Sequence, residues 1–294
     1  MSDSLSDLLK NPVIIIGAPR SGTSFLSRLL SEHSTLAMSI EPRLVWKWGN
    51  DGLSDLLSPA HARPEVIDYI RETFENFVIE NGGTRFAEKT PSNALRMAFV
   101  NEVFPDAKFV HIIRHGKDSA LSIRSFWENS ATGFSQVNPS RLAQRLKEMQ
   151  LKQVPYYAKE FVTRALGGLR KKGPTGRAFW GPRLPGMRGL VNELDILEVA
   201  CLQWRTCVEQ ACAYGRTLPS ERYLELRLES LDESAIEQML EFVGLDNEPA
   251  LEAHYRDRFK QDKAGGRRKK ASVGDEVMLE RWLRPTLDWL DYED

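Results

Sequence analysis

The chain has 294 residues, 41 % of them hydrophobic and 28 % charged, with Lys plus Arg at 40 against Asp plus Glu at 41. Those proportions exclude global disorder, collagen and coiled-coil architectures, and the length suffices for one large α/β core. The net charge of -1 hides an uneven distribution: residues 161–192 hold seven bases and no acid, and residues 260–270 hold six bases and one acid. A near-neutral total therefore leaves room for a compact polyanionic ligand held locally.

The first predicted element is Pro12-Val-Ile-Ile-Ile-Gly17. Its β-branched run lacks polar alternation, as expected of a strand buried on both faces of a parallel sheet. Gly17-Ala-Pro-Arg-Ser-Gly-Thr-Ser24 follows, and then Phe25, Leu26, Leu29 and Leu30 at helical spacing. Further elements are a helix over Glu65 to Glu80, a short strand from Thr84 to Lys89, and a helix through Leu95, Phe99 and Val103. Lys108 to Ile113 reads as a third buried strand, ending at Arg114 before a helix through Leu121 and Phe126. Residues 167–189, rich in glycine, proline and bases, read as a long surface loop. A long helix is expected over Glu193 to Leu218, a strand over Arg222 to Leu228 and a helix over Ser234 to Val243. A second basic loop covers Asp262 to Ser272, and a helix covers Glu276 to Leu290. Alternating strands and helices imply an α/β fold, a P-loop-like central parallel sheet flanked by helices, in a single domain over 1–294 with basic loops at 161–192 and 260–272.

No apolar run approaches the roughly 20 residues that span a bilayer, and the first ten residues lack the pattern of a signal peptide. Cys201, Cys207 and Cys212 share one helix without metal-ligand spacing, so no metal site is expected, and an odd number fits a reducing, cytoplasmic setting.

Residues 17–24 have the spacing Gly-x-x-x-x-Gly-x-Ser of a phosphate-binding loop. Glycines let backbone N–H groups turn toward an anion at the positive end of the following helix. Thr23 stands where a nucleoside-triphosphate enzyme carries Lys, and the strand 108–113 ends in Arg114 rather than in an acid that holds Mg²⁺. An anion site without that metal holder favours transfer of a group less charged than phosphoryl.

These motifs resemble those of sulfotransferases that use 3′-phosphoadenosine 5′-phosphosulfate (PAPS). Ala18-Pro-Arg-Ser-Gly-Thr-Ser24 is similar to the family's 5′-phosphosulfate loop. Phe109 to Ser122 is similar to its 3′-phosphate element, a strand ending in Arg with Ser eight residues on. Phe86-Ala-Glu-Lys-Thr-Pro91 resembles the Lys-centred element of the tyrosylprotein and heparan-type branches. Leu226 to Leu231 and Trp289-Leu-Asp-Tyr292 resemble late elements of bacterial members. The resemblance implies a sulfotransferase fold and transfer of a sulfuryl group from PAPS, as co-substrate, to the hydroxyl of a small-molecule, saccharide or peptide acceptor. It implies donor binding by Arg20, Ser21, Gly22, Thr23, Ser24, Arg114 and Ser122, with Arg267 and Arg268 (or Lys269 and Lys270) capping the 3′-phosphate. It implies catalytic roles for Glu41 as general base, for Arg20 on the bridging oxygen and for Lys89 on the sulfonate or acceptor oxygen. His111 and His115 are rival bases on chemistry alone. Phe25 replaces a Trp of cytosolic relatives and Leu228 a common Tyr, while Phe179 to Gly186 reads either as shaping the acceptor pocket or as a structural turn.

Two other classes share parts of this pattern. A P-loop kinase of small metabolites would need Mg²⁺ and ATP. A non-catalytic polyanion binder would use the basic loops and lose affinity steeply with salt. Neither accounts for strand-loop-helix and strand-Arg-helix-Ser occurring together, and nucleic acid is not an expected partner.

Overall fold

A computed structural model describes residues 5–131, 153, 180–262 and 271–292. Its centre is a five-stranded, wholly parallel sheet of order β2-β3-β1-β4-β5. The strands are β1 (Val13–Ile16), β2 (Leu36–Ile40), β3 (Arg85–Lys89), β4 (Lys108–Ile113) and β5 (Tyr223–Arg227). Every residue of β1 is fully buried, as the β-branched run requires of the central strand. Ile14 and Ile16 face one apolar layer, while Val13 and Ile15 face the other.

The first layer is built by α3 (Pro64–Glu80), α4 (Met97–Val103), α5 (Gly116–Ala131), α7 (Ile196–Gly215) and α10 (Val273–Trp289). The second is built by α1 (Thr23–Leu30), α8 (Glu233–Val243) and α9 (Pro249–Asp262). Two short helices, α2 (Arg43–Lys47) and α6 (Met187–Glu193), complete the described α-helices. The α/β expectation, with a P-loop-like parallel sheet between helices, holds.

Several local expectations are corrected. β2, α2 and α9 are additional elements. The segment read as loop through residue 189 enters α6 at Met187. α7 starts at Ile196 rather than Glu193, because Asp195 caps it: its carboxylate accepts from Leu197 N (2.8 Å) while Glu198 Oε2 accepts from Asp195 N (3.0 Å). α10 starts three residues before its predicted position, capped reciprocally by Ser272 and Asp275. Most of both basic loops, with Arg267, Arg268, Lys269 and Lys270, lies outside the described residues.

The parallel order lines up the strand ends that carry chemistry. Going across the carboxyl edge, Glu41 follows β2, Lys89 ends β3, the Gly17–Gly22 loop follows β1, and Arg114 follows β4. Neighbouring strands are about 4.8 Å apart, so these groups form one row at the edge where ligands of open α/β sheets bind.

Candidate active site

The loop after β1 is shaped by the absence of side chains. A Cβ on Gly17 would lie 2.5 Å from the Ile112 carbonyl oxygen and 2.7 Å from Ser21 Oγ. Gly22 has φ +102° and forms the N-cap of α1, where a Cβ would meet Leu228 Cδ1 at 2.8 Å. Arg20 also adopts the left-handed region, at φ +67°. That conformation is uncommon for a residue with a side chain and concentrates at ligand sites. Both the amide and the hydroxyl of Ser21 donate to the Ala18 carbonyl (3.3 and 2.6 Å). The hydroxyl proton of Ser21 thus closes the loop on itself. Thr23 is buried and Ser24 exposed, both within the first turn of α1.

The structure brings Arg20, Arg114 and Ser122 together from three elements. Arg20 Nε donates to Ser122 Oγ (3.0 Å), and its guanidinium lies over the Phe126 ring, 5.7 Å from the centroid. Arg114 Nη1 donates to the Arg20 carbonyl (3.3 Å), and its other nitrogen lies 3.7 Å from Asp118. Phe126 in turn packs against Trp180 at 4.4 Å. The Trp180 and Pro182 carbonyls are tied to α7 by Gln203 Nε2 (2.8 and 3.0 Å). The described part of the stretch expected to shape an acceptor pocket is therefore anchored beside the Arg20 side chain.

Of these residues Arg20 and Arg114 border a cleft of about 430 Å³, lined also by Gly22, Thr23, Arg28 and Glu229, with Ser24, Phe25, Leu228 and Leu231 completing the wall. Three guanidinium groups against one carboxylate give the cleft a cationic surplus, and Phe25, Leu228 and Leu231 supply an apolar wall. That combination suits a ligand with anionic groups and a flat ring, and the volume falls in the range of ligand clefts, about 300–1,000 Å³.

The second cluster lies two strands away. Lys89 Nζ donates to Glu41 Oε1 (2.7 Å), and Arg43 Nη2 approaches Glu41 Oε2 at 3.3 Å. Lys89 is 2 % exposed and Glu41 24 %, so the carboxylate meets solvent while its cation is enclosed. Register explains the meeting: Ile40 pairs with Lys89, and Glu41 N donates to the Lys89 carbonyl (2.8 Å). Glu41 holds φ +56°, which turns the chain sharply from β2 into α2.

Beneath Lys89 lies a buried polar chain. Glu88 is fully buried, and its oxygens accept from Thr90 Oγ1 (2.8 Å) and Asn93 Nδ2 (2.5 Å). Asn93 Oδ1 accepts from Arg96 Nε (2.7 Å), and Arg96 reaches Asp55 at 3.4 Å. Burial pushes the Glu88 carboxyl up to about 7. Burial likewise lowers the enclosed Lys47 ammonium to about 8, while the Leu53 and Ser54 carbonyls accept its protons.

Neither histidine considered as a rival base reaches the row of strand ends with its ring free. His111 is fully buried, and burial lowers it to about 4, so it is neutral. Tyr223 OH donates to Glu225 Oε1 (2.9 Å), so the Nδ1–H of His111 donates to Tyr223 (2.7 Å). His111, Cys212 and Glu225 bring potential ligand atoms within 4.8 Å of one another. Tyr223 already bridges His111 and Glu225, and Arg216 holds both Glu225 oxygens (2.8 and 2.9 Å). His115 packs edge-on against Tyr292, with ring centroids 5.2 Å apart.

Sequence reasoning did not single out Arg28, Arg43, Phe126 or Glu229. Phe126 follows Ser122 by one helical turn and Arg28 follows Ser24 likewise, a spacing that would have led to both had it been followed out from the two motifs.

Comparison with known proteins follows the same lines. A family model described as "Sulfotransferase family" matches residues 12–164, which include β1, the loop, Glu41, Lys89, Arg114 and Ser122. The protein-tyrosine sulfotransferase 1 of Danio rerio is 28 % identical over 126 residues, covering 39 % of this chain and 36 % of the relative. The nodulation protein NoeE of Sinorhizobium fredii is 25 % identical over 129 residues, covering 38 % of this chain and 31 % of the relative. The matched region thus spans about a third of the length of these curated relatives. Among solved structures, the sulfotransferase STF9 from Mycobacterium avium superposes with a TM-score of 0.55 at 13 % identity, covering 97 % of this chain and 78 % of that one. The sulfotransferase domain from the curacin biosynthetic pathway gives 0.52 at 15 % identity, covering 98 % and 99 %. With the family model matching more than half of its length, the chain belongs to the sulfotransferase family.

Proposed function

We propose that the chain acts as one catalytic unit that moves a sulfuryl group from PAPS to an acceptor hydroxyl. The observation that carries this reading is the row at the carboxyl edge of the sheet. A cationic cleft lined by Arg20, Arg28 and Arg114, with Ser122 held against Arg20 behind it, lies on one side of the phosphate loop, and the Glu41–Lys89 pair lies on the other. In-line displacement needs that order, with the leaving nucleotide and the attacking hydroxyl on opposite sides of the sulfur.

Backbone N–H groups at the start of α1, with the Thr23 and Ser24 hydroxyls, receive the 5′-phosphate, and Gly22 keeps the approach clear. Arg114 and Ser122 receive the 3′-phosphate, and planar guanidinium groups suit such oxygens. Arg20 belongs to the loop and contacts Ser122, so it joins the two phosphate subsites. From there it offsets negative charge developing on the bridging oxygen. The bound donor supplies an electrophilic sulfuryl group and a phosphate leaving group.

Glu41 accepts the acceptor proton as the acceptor oxygen forms its bond to sulfur. The S–O bond to the 5′-phosphate breaks, and its electron pair leaves on the phosphate oxygen, giving adenosine 3′,5′-bisphosphate. Lys89 is enclosed and aimed at Glu41, and it steadies the carboxylate or a sulfonate oxygen.

The test is a calorimetric titration with adenosine 3′,5′-bisphosphate, followed by a transfer assay with labelled PAPS and an acceptor panel in the presence of chelator. Binding and metal-independent transfer are expected. Absence of bisphosphate binding refutes the reading, and a requirement for Mg²⁺ and ATP points to a kinase.

A further inference from the structure

The turn that carries Arg114 is held from a second direction, by residues outside the two nucleotide motifs. Its backbone has two anchors. The Trp204 indole N–H donates to the Arg114 carbonyl (3.0 Å), and the next amide, His115 N–H, donates to Glu229 Oε1 (2.7 Å). The second oxygen of Glu229 accepts from Tyr292 OH (3.1 Å). Tyr292 is fixed in turn. Its ring lies under the Arg227 guanidinium at 4.6 Å and against the His115 ring, and its amide donates to the Leu287 carbonyl (3.0 Å). Arg227 also donates to the Leu290 and Asp291 carbonyls.

The register gives this bracing its direction. Arg227 pairs with Ile113 across β4 and β5, so the chain leaves β5 beside the Arg114–His115 turn. Glu229 lies two residues further on, in the wall of the cleft.

We infer that Glu229 and Tyr292 form a latch that positions Arg114 for the 3′-phosphate, making the segment after α10 part of the donor site. The inference rests on the donor-site reading above. Both Glu229 oxygens are engaged, one by a backbone N–H and one by a phenol. The carboxylate therefore has a defined orientation and fixes the amide next to Arg114. A guanidinium recognises phosphate oxygens through directed N–H bonds, so a small drift of its backbone weakens that contact. Burial and the neighbouring Glu229 carboxylate raise the Tyr292 phenol far above its ordinary range, so it stays a donor at all working pH values.

The test compares two probes, adenosine 3′,5′-bisphosphate and adenosine 5′-monophosphate, which lacks the 3′-phosphate. Their affinities are measured by calorimetry on the full chain, as wild type, Tyr292→Phe, Arg114→Ala and the double variant. Tyr292→Phe keeps the ring against Arg227 and His115 and removes only the hydroxyl. The expected result is a loss of about tenfold for the bisphosphate, with the monophosphate changed less than about twofold. In the Arg114→Ala background the same substitution leaves the ratio of the two affinities unchanged. Glu229→Gln keeps an oxygen for His115 N–H and is expected to lower the ratio of bisphosphate to monophosphate affinity less than Glu229→Ala; equal ratios in the two variants count against the latch. Equal weakening of both probes by Tyr292→Phe, or no weakening, overturns the latch while wild type still prefers the bisphosphate. A wild type without that preference refutes the donor-site reading itself.

Discussion

Glu88 offers a perturbation whose sign and size follow from the structure. It is fully buried at the end of β3, one residue before Lys89, and burial raises its carboxyl from 4.5 to about 7. In the unfolded chain the group ionises near 4.5. Between about pH 4.5 and pH 7 the folded state therefore holds a proton that the unfolded state has released. A folded state that binds more protons loses stability as pH rises. The difference of about 2.5 pKa units corresponds to about 3 kcal/mol, absent at low pH and fully developed above pH 7. Glu88→Gln removes the ionisation but keeps the shape. Its oxygen still accepts from Asn93 Nδ2, while its amide reverses the Thr90 contact, so that Thr90 Oγ1 accepts where it donates to Glu88 in the wild type. The variant should therefore gain on the wild type by about 3 kcal/mol between pH 4.5 and pH 8, whatever the offset at low pH. Urea unfolding of both proteins at several pH values measures it. A difference that stays constant with pH, or that turns against Gln at pH 8, refutes the reasoning.

Other outcomes concern the proposed chemistry. Arg114→Ala should raise the Kd for adenosine 3′,5′-bisphosphate by about ten- to a hundredfold, the size of a charged hydrogen-bond loss, with a smaller effect on kcat at saturating donor; a loss confined to kcat contradicts its place in the cleft. Glu41→Gln should cut kcat by about 10²–10⁴ while leaving bisphosphate affinity within a few-fold, and unchanged turnover reassigns the base. Gly22→Ala forces a side chain into φ +102° and against Leu228, so donor affinity should fall together with thermal stability. A fully stable, fully binding Gly22→Ala protein would show that the loop has another shape in solution.

Much of the sheet is readable from local pattern. β1 is a continuous apolar run, and β4 is apolar but for Lys108 and the buried His111, because both their faces are covered, as in a parallel sheet between helices. The phosphate loop is readable for a related reason. Its glycines mark places where no Cβ fits, and that constraint is written in residue type. β2 is not readable in the same way. Leu36-Ala-Met-Ser-Ile40 has one β-branched residue and lies at the sheet edge, where packing demands are weak. α9 escapes too: among its described side chains Leu251 and Tyr255 are the ones buried in the core.

The sequence by itself determined the fold class, the loop after the first strand, and the arginine at the end of β4, because each follows from contacts among near neighbours. Tertiary structure alone decided which distant residues meet. Glu41 and Lys89 are 48 positions apart, and Arg20 and Ser122 are 102. They touch because parallel strands align their carboxyl ends at one edge. That alignment is set by hydrogen-bond register and by burial of both sheet faces, and neither is a property of the residues that meet. The net charge of -1 shows the same division. Composition reports the sum, whereas the fold places three arginines around one cleft.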